Sequence, residues 1–176
     1  MSPEPLGYLA HKKAPPGVPF PFLWTTCAAR RNKPVTSVSF YKLAGDQQVA
    51  LALACQLIQK SLKMNQQVLC LVADDAIAQQ LDEKLWGFQA TAFVPHALGV
   101  DNAPVAISTD AEPGDHHQIL INLQPQIPTW FSRFDRVIEI IYPHPEYEQA
   151  KRDNFKFYKE RGYALSFHDL TEKFHG

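Results

Sequence analysis

The chain carries no excess of positive charge. Among its 176 residues, 17 Lys and Arg stand against 18 Asp and Glu, a formal net charge of −1. Proteins that grip duplex nucleic acid by its phosphates show a clear basic excess, so charge-driven binding here must come from a local patch. Cysteine is scarce as well. Cys27, Cys55 and Cys70 are far apart and fit no metal spacing. Cys55 and Cys70 fall within apolar runs and read as small buried hydrophobes in a reducing cytoplasm. No apolar run approaches the length of a membrane span. The N-terminus lacks an apolar stretch followed by a small-residue cleavage site, so export is not expected and a cytoplasmic location is. The length suits one domain with a real core.

Glycine is missing where a nucleotide site would need it. A dinucleotide fold places a Gly-rich turn after its first strand, so that backbone can approach a pyrophosphate. Here that turn reads "KLAGDQQ", with a single glycine, Gly45, followed by Asp46. A carboxylate there occupies the place of an anionic phosphate. No P-loop, nucleophile elbow, zinc motif or purposeful pair of carboxylates occurs. The pair His116–His117 reads as a solvated loop, and His96 and His144 as local structure. Neither a metal nor a cofactor is expected, and a nucleotide-dependent transferase is the weaker of the readings.

Proline, by contrast, is concentrated. Half of the fourteen prolines lie in residues 1–34, and no period of 2.0 or 3.6 runs through that segment. It reads as a disordered or loosely draped tail, in which "FPFLW" carries incidental aromatics. From Val35 the texture changes. "VTSVSFYKL" alternates as a strand does, and "DQQVALALACQLIQKSLKMN" is a helix with Asp46 as its cap and Asn65 at its exit. "QVLCLVA" is a continuous apolar run, the mark of a strand covered on both faces. "DDAIAQQLDEKLWGF" is a second helix, capped by Asp74. "TAFVPH", "APVAISTD", "QILINL" and "RVIEIIY" are further strands. "HPEYEQAKRDNFKFYKERG" is the last long helix, with Pro145 in its first turn and Gly162 at its stop. "YALSFHDL" closes the series as a strand. This alternation predicts an α/β domain over residues 35–176: a three-layer sandwich with a mostly parallel sheet.

The stretch "KRDNFKFYKERGY", residues 151–163, packs cations and rings together. At about 100° per residue, Tyr147, Ala150, Asn154, Phe157 and Tyr158 share one side of the helix, the side expected to pack on the sheet. Arg152, Phe155, Lys156 and Lys159 share nearly the opposite side. Phe155 is thus expected to sit among cations, away from the core. A solvated basic face accounts for most such patterns. Two ligands fit the exposed ring: single-stranded nucleic acid, with a base on Phe155, or an acidic peptide whose terminal carboxylate meets Arg152 or Lys156. The compact site and near-neutral chain favour the peptide.

Several motifs agree with one family in order and spacing. "LDEKLWGFQATAFVPHAL", "QILINL" and "AKRDNFKFYKERGYAL" resemble the chi subunit of bacterial DNA polymerase III holoenzyme, over about Ser37 to Leu170. The resemblance implies a Rossmann-like fold without nucleotide chemistry, and a non-catalytic accessory subunit of the clamp-loader assembly. It implies two partners: the psi subunit, and the acidic C-terminal tail of single-stranded DNA-binding protein, which ends in Pro-Phe. DNA is then met only indirectly. Carried over by position, the tail site falls on Arg152, Phe155, Lys156 and Lys159, with Gly162 and Leu165 shaping the pocket; Phe155 stands where the family often has Tyr. The psi-facing site falls on Trp86 and Phe93, which otherwise read as core aromatics, and the same surface is implicated in binding a repair helicase. Residues 1–34 lie outside the resemblance, so a mis-assigned start, with translation beginning at Val35, is the other expectation for them.

Overall fold

The strand expected after Pro34 forms as β1 (Ser37–Lys42), with Val38 and Phe40 fully buried. The computed structural model describes residues 35–88, 94–99, 102–109 and 112–174; the proline-rich segment 1–34 and Phe93 lie outside the described residues. Gly45 turns the chain out of β1 at φ +123°, where a side chain would also collide with Val49. α1 (Gln47–Lys63) then begins under its expected cap: Asp46 accepts hydrogen bonds from the Gln48 and Val49 amides. Beyond the cap residue Met64, Asn65 at a φ of 54° turns the chain off the helix. β2 (Val68–Leu71) is buried along its whole length, as its unbroken apolar run requires. α2 (Asp75–Gly87) starts at Asp74, which accepts from the Ile77 amide at 2.8 Å.

Four strands follow: β3 (His96–Leu98), β4 (Val105–Ser108), β5 (Ile119–Asn122) and β6 (Arg136–Ile141), with a 3-10 turn at Phe131–Arg133 before the last. The strand expected from residue 91 begins only after Pro95, which has no N–H for a ladder; residues 91–93 are outside the described set. α3 (Pro145–Glu160) and β7 (Ala164–Asp169) complete the chain.

The seven strands lie in the order β3-β4-β2-β5-β6-β1-β7, and every pair is parallel, where the alternation of elements had predicted a mostly parallel sheet. Side chains alternate between the two faces. One face carries Val68, Cys70, Ile107, Ile121 and Ile138, covered by α1 and α2 through Leu51, Ile58, Leu81 and Leu85. The other carries Val38, Phe40, Leu69, Leu120 and Val137, covered by Tyr158 of α3 and by Phe131 and Phe134 around the 3-10 turn. This is the expected three-layer sandwich, and it is Rossmann-like.

Candidate binding surfaces at the two sheet edges

α3 is held against the sheet by a lysine. Tyr147, Lys151, Asn154 and Tyr158 follow the 4-3-4 spacing of one helix stripe, and all four are buried. Lys151 has no exposed surface. Its Nζ donates to Glu139 Oε2 at 2.5 Å and to the carbonyls of Gln124 and Asn122 at 2.5 and 3.1 Å. Glu139, equally buried on β6, also accepts from the Tyr158 hydroxyl and from Asn122 Nδ2. Burial lowers the Lys151 pKa, and the Glu139 carboxylate pulls it partly back. Charges this deep persist only when fully paired. The core side read from the sequence omitted Lys151; the signals that could have found the pair are the acid inside the apolar run "RVIEIIY" and the helical spacing of Lys151 from Tyr147, Asn154 and Tyr158.

The helix stops where Gly162 predicts. At φ +74°, Gly162 donates to the Lys159 carbonyl and Tyr163 to the Tyr158 carbonyl, with the two tyrosine rings in edge contact at 5.9 Å. This is a Schellman cap with its hydrophobic contact. It aims the chain into β7, the edge strand beside β1.

A small groove of about 260 Å³ opens between α3 and β7, lined by Ile141, Lys151, Arg152, Phe155 and Phe167. Phe155 corrects the expectation. It does not point away from the core but lies half-buried, its ring edge-on to Phe40 at 5.2 Å. The reason is lateral: α3 lies against β6 and β7 and reaches Phe40 of β1 between them, so its flank as well as its stripe finds apolar neighbours. Arg152, Lys156 and Lys159 are exposed as expected. Arg152 pairs with Glu148 at 2.8 Å while 65% of its side chain stays in solvent, and Lys156 lies 3.8 Å from Glu160. Such i,i+4 pairs are weak and open readily to a competing carboxylate. Leu165 is half-buried in the apolar layer against Val38, and Gly162 acts as the helix cap, so neither lines the groove. The ring missed in the sequence is Phe167, 53% exposed on β7. Strand alternation puts it on the Phe40 side, but the length of α3's cover was not legible.

The opposite edge of the sheet is β3, and Trp86 stands beside it. Trp86 is no core aromatic: it is 62% exposed, with its ring 5.3 Å from that of His96, the first residue of β3. His96 is anchored by the Val94 carbonyl at 2.7 Å and by Asp82 at 3.0 Å. Leu98, also exposed, ends the same strand. The two candidate surfaces thus lie at the two edges, about 29 Å apart by six strand spacings of about 4.8 Å.

A cavity of about 700 Å³ lies at the C-terminal ends of the strands, where parallel sheets commonly bind ligands. Its lining suits no phosphate. Asp46 takes the amides at the start of α1, Glu146 adds a second carboxylate, and neither Lys nor Arg lines it. Of the paired histidines, His116 is buried rather than solvated, holding the Ala103 carbonyl at 2.9 Å; His117 is exposed. Among the described residues no group of three His, Cys, Asp or Glu could hold a metal, and no helix is long and apolar enough to cross a membrane.

Fold and surface together define a Rossmann-like α/β protein whose candidate binding groups gather at its sheet edges instead of at a phosphate turn. Comparison with known proteins makes the class specific. The family described as DNA polymerase III chi subunit, HolC, matches residues 35–166, and the chain belongs to that family. It is 40% identical to the DNA polymerase III subunit chi of Pseudomonas aeruginosa over 139 residues, covering 77% of this chain and 98% of the relative. It is 27% identical to the Escherichia coli subunit over 140 residues, covering 74% of this chain and 95% of that one. The crystal structure of T4 UvsW shares the fold at a TM-score of 0.58 and 7% identity, over 77% of this chain and 42% of that one.

Proposed function

We propose that the chain is a non-catalytic bridging subunit of the polymerase III clamp-loader assembly. In this reading its β7 edge holds the acidic, Phe-terminated tail of single-stranded DNA-binding protein, and its β3 edge holds the psi subunit. DNA is met only through the binding protein, in the cytoplasm, without a cofactor. The observation that carries the reading is the groove between α3 and β7. An apolar slot lined by Phe155 and Phe167 is flanked by Arg152, with Lys156 one turn on. That suits a terminal aromatic side chain whose carboxylate and neighbouring acids meet cations. Exposed Trp86 at the far edge supports a second, independent partner, and Phe93, outside the described residues, belongs to the same proposed surface. A repair helicase would compete with psi there.

Anisotropy titration with a labelled acidic peptide ending in Pro-Phe tests the tail site. Binding is expected at micromolar strength, weakening as salt rises and lost in Arg152→Ala. Binding that survives both Arg152→Ala and Lys156→Ala removes the site from α3.

A further inference from the structure

Among the described residues, nothing pairs with the outer edge of β7. β7 pairs only with β1, and no described strand lies beyond it. Its six residues pair with β1 without interruption, so no bulge bends the edge away. It holds no proline and no lysine, the usual guards of an exposed edge. The Leu170 amide donates inward to the Lys42 carbonyl. By the alternation of a strand, the N–H and C=O groups of Leu165, Phe167 and Asp169 then face outward.

The edge is continuous with the proposed tail site. Phe167 belongs to β7 and lines the groove with Phe155 and Arg152. A segment whose terminal ring fills the groove beside Phe167 has room to lay its preceding backbone along β7. We propose that the residues upstream of that terminal aromatic pair with β7 as an eighth strand of the sheet. The inference rests on the reading of the groove as an acidic-tail site.

Charge sets the direction of the added strand. At the C-terminal end of β7, Asp169 and Glu172 are offset by Lys42 and Lys173, so that end gives an acidic segment no net attraction. Lys156 and Lys159 follow Arg152 along α3 toward its C-terminal end, the end from which the chain enters β7 at Ala164. Acidic residues upstream of the aromatic therefore extend toward Ala164. The segment runs from there to Phe167, parallel to β7, and the sheet stays parallel throughout. Main-chain pairing would supply affinity that tolerates sequence change, while groove and cations supply selectivity.

The test uses the whole protein and a synthetic acidic peptide ending in Pro-Phe, N-methylated at one upstream backbone amide at a time. The expected pattern alternates: methylation at every second residue weakens binding by about tenfold, and at the residues between by less than about twofold. Amide exchange of Phe167 and Asp169 is expected to slow on peptide addition. If the parent peptide binds but every methylated form binds equally well, the eighth strand is overturned and the groove reading stands. If the parent peptide does not bind, both fall. Slow exchange of those amides without peptide, deepening with protein concentration, would assign the edge to a second copy and overturn the proposal.

Discussion

Lys151 carries the most consequential residue-scale statement. Removing one member of a buried pair leaves the other charged and unsolvated, so Lys151→Met is expected to cost about 3–5 kcal/mol. Adding Glu139→Leu should recover most of that, because an apolar pair needs no solvation. Urea unfolding of the single and double variants checks both outcomes. The same core sets the alkaline limit. Burial, then the Glu139 carboxylate, raises the pKa of Tyr147 and Tyr158; burial raises that of Cys70 and pushes Cys55 up to about 12. These groups keep protons that the unfolded chain releases. Their stabilisation is complete below the unfolded values and falls as pH rises past 9.0 for the thiols and 10.0 for the phenols. Lys151, lowered by burial, works the other way as pH climbs toward 10.5, but it is one group against five, since burial raises Tyr142 as well. Urea midpoints should therefore decline above about pH 9, and Tyr158→Phe should make the decline shallower above about pH 10. Lys151 was hard to foresee because a lysine inside "KRDNFKFYKERGY" reads as one more surface cation. Only its spacing from Tyr147, Asn154 and Tyr158, together with Glu139 in a buried strand, gives it away.

The elements were more legible than the site, because their punctuation is local chemistry. Asp46, Asp74, Asn65, Pro145 and Gly162 all act where the sequence puts them. Gly162 gives a clean test. A Cβ there meets nothing within 4 Å, so Gly162→Ala adds no clash and costs only the left-handed backbone, about 1–2 kcal/mol. Gly162→Asn should lose less, since Asn tolerates that conformation. Thermal unfolding separates the two. β3 was misjudged at its start, because an apolar run predicts a strand without saying which residues have a partner, and Pro95 refuses one end. The groove was legible only in part. Helical spacing set the exposed cations Arg152, Lys156 and Lys159 on one flank but placed Phe155 away from the core with them, and the orientation of that ring depends on how far α3 reaches across β6, β1 and β7. That reach is a tertiary fact which no local pattern encodes.

For the whole molecule, the arrangement of the sheet matters more than any one contact. Every described residue of the two hydrophobic layers lies from Val38 onward. We propose that residues 35–176 fold alone, with a melting temperature equal to that of the full chain; a loss of several degrees on truncation would assign residues 1–34 a share of the fold. The separation of the two edges makes a sharper demand. Sites about 29 Å apart, with no shared side chain, should bind independently. Trp86→Ala is then expected to lose psi and keep the acidic tail, and Arg152→Ala the reverse. The bridging claim is tested most directly by a pull-down on immobilised psi, adding the chain and then single-stranded DNA-binding protein, either intact or lacking its last few residues. The account predicts that intact binding protein is retained only through the chain, and that the truncated form and the Arg152→Ala chain retain none. Equal retention of intact and truncated binding protein would contradict it.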